Sequence, residues 1–88
     1  MQTRDIQQTR DMQKSAAILD LRGLFCPLPV LRAKTALMRL PLGGTLVLEC
    51  TDPLTVIDIP VFARQTGSEL VDQQRDGELF IFTLIRRR

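Results

Sequence analysis

The 88-residue chain contains no histidine, no tryptophan and no tyrosine. The missing imidazole excludes a Ser–His–Asp triad, a Cys–His nucleophile pair and any histidine-ligated metal site. Thiols are scarce as well. Cys26 and Cys50 are the two cysteines, too few for a four-sulfur zinc site and too far apart in sequence for a C-x-x-C redox pair. The five glycines form no phosphate-cradling motif. No apolar run approaches the roughly 18 residues that a membrane span needs. The opening Met1-Gln2-Thr3-Arg4-Asp5 lacks the apolar stretch of a secretory signal. The expectation is a cytoplasmic protein with reduced thiols, no metal and no cofactor.

What is present suffices for one small domain with a thin core, since a chain of this size buries only about 60% of its unfolded surface. The net charge of +2 is unevenly spread. The first 15 residues are slightly basic, Arg86, Arg87 and Arg88 form a basic end, and the stretch between is mildly acidic. A basic stripe of the kind that tracks nucleic acid is missing.

Residues 1–15 carry a short duplication, Gln2-Thr3-Arg4-Asp5-Ile6-Gln7 followed by Gln8-Thr9-Arg10-Asp11-Met12-Gln13. Its period of six fits neither a helix nor a solenoid repeat, and its few apolar side chains give it little to bury. The expectation is a disordered leader over 1–15 and a single folded domain over 16–88.

From Ala16 the pattern becomes regular. Ala17, Leu19 and Leu21 alternate with Ile18, Asp20 and Arg22, which predicts a strand closed by Gly23. Residues 27–40 follow a helical period: Val30, Ala33, Ala36, Leu37 and Leu40 share one face, and Arg32, Thr35 and Arg39 point away. Thr45–Thr51 reads as a second strand with Leu46, Leu48 and Cys50 on one face. Asp52-Pro53 starts a second helix running towards Gln65, with Asp52 as its cap and Pro53 in its first turn. Pro60 should kink or divide that helix, Asp58 capping the second segment, and Gly67 should stop it. A strand over Glu69–Gln74, a two-residue Asp76-Gly77 hairpin and a strand over Leu79–Ile85 complete the chain. The order β-α-β-α-β-β predicts a two-layer α/β sandwich: a right-handed parallel crossover, an antiparallel hairpin, and two helices on one face of a four-stranded mixed sheet.

Cys26-Pro27-Leu28-Pro29 is the segment that carries chemistry. Pro27 biases Cys26 towards an extended, N-cap-like backbone, with the sulfur at a helix N-terminus where the macrodipole favours a thiolate. Pro27 and Pro29 remove two of the free N–H groups of the helix start, leaving mainly the Leu28 N–H to face the sulfur. With no base in the motif, the chemistry left is that of sulfur itself: persulfide transfer, thiol exchange or covalent capture. A small apolar residue packed at a helix start is the alternative role for Cys26.

The segment Gly23-Leu24-Phe25-Cys26-Pro27-Leu28-Pro29 resembles the signature of the TusA/SirA family of sulfur carriers. The resemblance continues through Lys34, Pro41-Leu42-Gly43-Gly44-Thr45, Thr51-Asp52-Pro53, Asp58-Ile59-Pro60 and the Asp76-Gly77 hairpin, and covers residues 18–87. It implies a fold like the C-terminal domain of bacterial translation initiation factor three. It also implies that Cys26 accepts sulfane sulfur as a persulfide, framed by Gly23, Pro27 and Pro29. The donor would be a cysteine desulfurase or a rhodanese-like protein, and the acceptor a cysteine on another protein. The carrier would work as a monomer that docks transiently.

Arg32, Lys34, Arg86 and Arg87 are candidate docking residues, the last two having no evident acidic partner in the sequence. Asp52 and Asp58 read as helix caps, and Cys50 as a core thiol. Two other functions stay open at this point: an interaction or regulatory module with a structural Cys26, and an RNA-binding domain suggested by the fold analogy and the basic ends.

Overall fold

The computed structural model describes residues 16–88; the duplicated hexapeptide lies outside them. Four segments form strands; Thr45–Cys50 and Leu79–Ile85 bury every second side chain, and Glu69–Asp76 is almost wholly exposed at the sheet edge. The strands are β1 (Ala16–Leu21), β2 (Thr45–Cys50), β3 (Glu69–Asp76) and β4 (Leu79–Ile85), in the sheet order β1-β2-β4-β3. β1 lies parallel to β2, with Leu21 opposite Cys50. β4 runs antiparallel to both β2 and β3. The helices are α1 (Leu28–Met38) and α2 (Thr55–Thr66).

The core is the layer between one sheet face and these helices. Leu21, Leu46, Leu48, Cys50, Phe80, Phe82 and Leu84 from the sheet meet Ala33, Leu37, Ile59, Phe62 and Ala63 from the helices, all buried. These strand residues are the inward-facing ones expected from period-two alternation, and Ile18 on the opposite face is 72% exposed.

Several boundaries differ from the sequence expectation. α1 starts at Leu28, with Pro27 as its N-cap and Pro29 within its first turn, so Cys26 lies one residue outside the cap position. α2 starts at Thr55 with Leu54 as N-cap, so neither Asp52 nor Asp58 is an N-cap. Pro60 does not divide α2. The helix is continuous because Thr55, Ile59, Phe62 and Ala63 are buried along one face. Burying Ile59 and Phe62, at about 1.5–3 kcal/mol each, offsets the roughly 3 kcal/mol cost of an interior proline. Gly67 ends α2 as expected, at φ 74°, a left-handed conformation that disfavours any side chain with a Cβ. Asp76 pairs with Leu79, which moves the two-residue turn to Gly77-Glu78.

The basic C-terminal end is not free. The Arg86 guanidinium donates to the carbonyls of Leu40 at 2.5 Å and Met38 at 3.4 Å, satisfying carbonyls that the end of α1 leaves open. Its backbone continues the pairing, with Arg86 N donating to Gly44 O at 2.9 Å and Gly43 N to Arg86 O at 2.7 Å. Arg87 does have an acidic partner: its guanidinium grips the Glu69 carboxylate at 2.6 and 2.9 Å. Glu69 and Ile85 are opposite one another across β3 and β4, a proximity that follows from the hairpin register.

Candidate functional site

Parallel pairing of β1 with β2 brings the loops that follow them, residues 22–27 and 51–54, to the same end of the sheet. Hydrogen bonds tie the loops together. Gly23, at φ 81°, turns the chain out of β1, and its N–H donates to Thr51 Oγ1 at 2.8 Å. Three residues on, the Cys26 N–H donates to Asp52 Oδ2 at 2.8 Å. The other Asp52 oxygen accepts from Leu54 N at 3.1 Å, the turn by which an Asp before a helix engages the backbone two residues on. The Asp52 carbonyl accepts from both Thr55 N at 3.0 Å and Thr55 Oγ1 at 2.6 Å. Asp52 is only 4% exposed. It fixes the cysteine loop and the entry of α2 with one buried carboxylate, which is more than the cap read from the sequence.

Cys26 itself is exposed. Its sulfur opens on a groove of ≈ 250 Å³ lined by Cys26, Pro27, Val30, Asp58, Val61, Phe62 and Gln65. Pro29 is buried and anchors the start of α1. Asp58, Val61, Phe62 and Gln65 have spacing i, i+3, i+4, i+7, one stripe of a helix, so α2 supplies a full wall of the groove. Phe25 at 67% and Leu28 at 41% exposure, flanking Cys26 in sequence, and Ile57 at 63%, next to Asp58, add exposed apolar side chains to these segments.

The electrostatics run against the expectation of a thiolate at a helix N-terminus. The thiol is pushed above its ordinary value, first by its hydrogen bond to the Asp58 carboxylate, then by desolvation and the charges of Asp58 and Asp52. Nor does the Leu28 N–H face the sulfur, since it donates to Phe25 O at 2.9 Å. Cys26 is therefore held towards the thiol form, with the Asp58 carboxylate on the same groove. Cys50 is the opposite case: fully buried in the core, its thiol is pushed up to about 11, mainly by burial.

Of the residues singled out in the sequence, Gly23, Cys26, Pro27, Pro29, Asp52 and Asp58 come together here. Arg32 and Lys34 are exposed on α1 and do not line the groove. Arg86 and Arg87 lie at the opposite end of the sheet, held by partners within the chain. Val61, Phe62 and Gln65 went unnoticed in the sequence; their helical stripe with Asp58 was the signal. Among the described residues no group of His, Cys, Asp and Glu could hold a metal ion, and no helix is long and apolar enough to cross a membrane.

Residues 17–86 match the family model described as Sulfurtransferase TusA. A sulfur carrier protein TusA from Allochromatium vinosum is 46% identical over 66 residues, 75% of this chain and 87% of that protein. A sulfur carrier protein TusA from Pseudomonas putida is 41% identical over 71 residues, 81% and 89% of the two chains. A putative sulfur carrier protein from Neisseria meningitidis is 46% identical over 68 residues, 76% and 88%. The crystal structure of a SirA-like protein from Desulfitobacterium hafniense superposes with a TM-score of 0.71 at 25% identity, covering 82% of this chain and all of that one.

Proposed function

Since the chain belongs to the TusA sulfurtransferase family and is a sulfur carrier, we propose that it carries sulfane sulfur as a persulfide on Cys26 and relays it between two other proteins. The observation that supports this most directly is the contrast between the two cysteines. Cys26 is exposed on an open groove, where a second protein's sulfur can reach it, and Cys50 is fully buried. An exposed thiol on a loop anchored by a buried carboxylate supports a transfer role over a purely structural one.

In loading, the Cys26 sulfur attacks the outer sulfur of a donor persulfide. The new bond forms between Cys26 Sγ and that outer sulfur, the donor's S–S bond breaks, and the donor leaves as a thiolate that takes up a proton. Unloading is the same exchange in reverse sense: an acceptor thiolate attacks the outer sulfur of the Cys26 persulfide and Cys26 leaves. The outer sulfur changes partners and nothing is oxidised overall. The carrier needs no cofactor for this, and it turns over only with a donor, such as a cysteine desulfurase or a rhodanese-like protein, and a cysteine-bearing acceptor.

The apolar surface at Phe25, Leu28 and Ile57 gives such partners a docking area that excludes water from the exchange. Incubation with a persulfidated donor followed by mass spectrometry tests the reading. The expected result is a gain of one sulfur atom in the wild type and in Cys50→Ser, and none in Cys26→Ser. Loading on Cys50 instead would overturn the assignment.

A further inference from the structure

Among the described residues, Asp58 is the one titratable group besides Cys26 that lines the groove. It stands in the first turn of α2 and shares the wall of the groove with the Cys26 sulfur, close enough for its carboxylate to push the thiol above its ordinary value. The second charge acting on the sulfur is Asp52, from the loop ahead of α2. Both Asp52 oxygens are already engaged, by Cys26 N and Leu54 N, so Asp52 positions the loop and Asp58 is the carboxylate placed to exchange a proton. The chain has no histidine. The usual partner for activating a cysteine is absent, and a carboxylate occupies its place.

We propose that Asp58 is the proton acceptor and donor for Cys26 in both halves of sulfur transfer. This deepens the persulfide-carrier reading and rests on it. In loading, the S–H proton of Cys26 moves to an Asp58 oxygen as Sγ attacks the outer sulfur of the donor persulfide. The Sγ–S bond forms, the donor S–S bond breaks with its electron pair going to the donor thiolate, and the outer sulfur keeps its hydrogen. In unloading, the acceptor thiolate attacks that outer sulfur, the Cys26 S–S bond breaks, and the proton on Asp58 passes to the departing Sγ. Sulfane sulfur stays at one oxidation level throughout, and each proton taken is returned.

Asp58→Asn separates proton transfer from thiol availability, because the amide keeps the shape and loses the basic oxygen. Loading is followed from rhodanese persulfide formed with thiosulfate, and alkylation of Cys26 by iodoacetamide is followed in parallel. Alkylation needs only a thiolate, and removing the neighbouring charge should hold or raise its rate at neutral pH. Loading should fall by about a hundredfold, the lower end of what positioned proton transfer contributes. Opposite movement of the two rates supports the relay. Loading that changes in the same ratio as alkylation would overturn it, leaving Asp58 a purely electrostatic neighbour. If Asp58→Asn does not fold, the wild type carries the test: loading in deuterium oxide should be slower than alkylation accounts for, and an equal change in both rates would overturn the relay. A wild type that loads neither from this donor nor from a cysteine desulfurase would overturn the carrier reading itself, a result distinct from either of these.

Discussion

Replacing Asp52 by alanine is the perturbation whose cost the structure sets most directly. The carboxylate is 4% exposed and accepts two backbone N–H groups, from Cys26 and from Leu54. Hydrogen bonds to charged groups contribute about 1.5–3 kcal/mol each, and a buried donor left without a partner costs about 1–3 kcal/mol. Solvent can reach part of the exposed cysteine loop once the side chain is gone, which brings the expected loss to about 2–4 kcal/mol. For a domain with about 5–15 kcal/mol in total, that is a large share. At about 4–8 °C per kcal/mol for a chain of this size, the melting midpoint should drop by at least about 8 °C. Asp52→Asn, which keeps one acceptor and turns an amide N–H towards the other donor, should fall between alanine and wild type. Urea unfolding monitored by circular dichroism gives the energies, with an unchanged denaturant slope as the sign that both states keep their compactness. A midpoint for Asp52→Ala within about 2 °C of wild type would refute the reasoning, because the loop would then be held by something other than this carboxylate.

Limiting iodoacetamide at neutral pH should label Cys26 before Cys50, read by peptide mass spectrometry. The Cys26 rate should still be climbing as pH passes the ordinary thiol value of 9.0, because Asp58 holds the proton on; a plateau below pH 8 would contradict that. The sign for Cys50 is worked in the same way. Its folded value of about 11 exceeds the ordinary 9.0, so its contribution to stability is complete below pH 9 and is lost as pH rises towards 11, a decline that Cys50→Ala should reduce in pH-dependent melting. Arg86→Ala should cost about 1–2 kcal/mol by uncapping the Met38 and Leu40 carbonyls. Arg87→Ala breaks an exposed pair with Glu69 and should stay within about 0.5 kcal/mol in the same melting experiment.

The fold was readable because its determinants are local. Alternation at Leu46, Leu48 and Cys50 and at Phe80, Phe82 and Leu84, with a stop glycine after α2, leaves little choice of topology in so short a chain. The candidate site was legible at Cys26 and its prolines because that motif is contiguous in sequence. Its electrostatics were not. A cysteine beside a helix start favours a thiolate when that helix is considered alone, and the opposing carboxylate is 32 residues away in sequence, on an element that reaches the sulfur only because β1 and β2 are parallel. Asp52 and Asp58 looked like caps because an Asp near a proline has that role locally. Pairing between loops, and the helical stripe that carries Asp58 with Val61, Phe62 and Gln65, decide what they do. The Arg end was misjudged likewise: its partners are β3 and the carbonyls at the end of α1, which the sequence does not place beside it.

The polarity of the strands has a practical consequence. Ala16, Thr45, Glu69 and Ile85 share one end of the sheet, and Leu21 and Cys50 the other. The chain therefore enters β1 and leaves β4 at the pole away from the sulfur, five residue steps or about 16 Å along the strands. Anything joined to either end of the domain, a tag, a surface or a second protein, attaches behind the reactive pole and leaves it facing outward. A carrier fused to its donor through either end would need a linker long enough to pass around the domain, roughly the length of a strand plus the breadth of the sheet, before tethering raised the local concentration at Cys26. Shorter tethers would hold the two proteins together and keep their sulfurs apart.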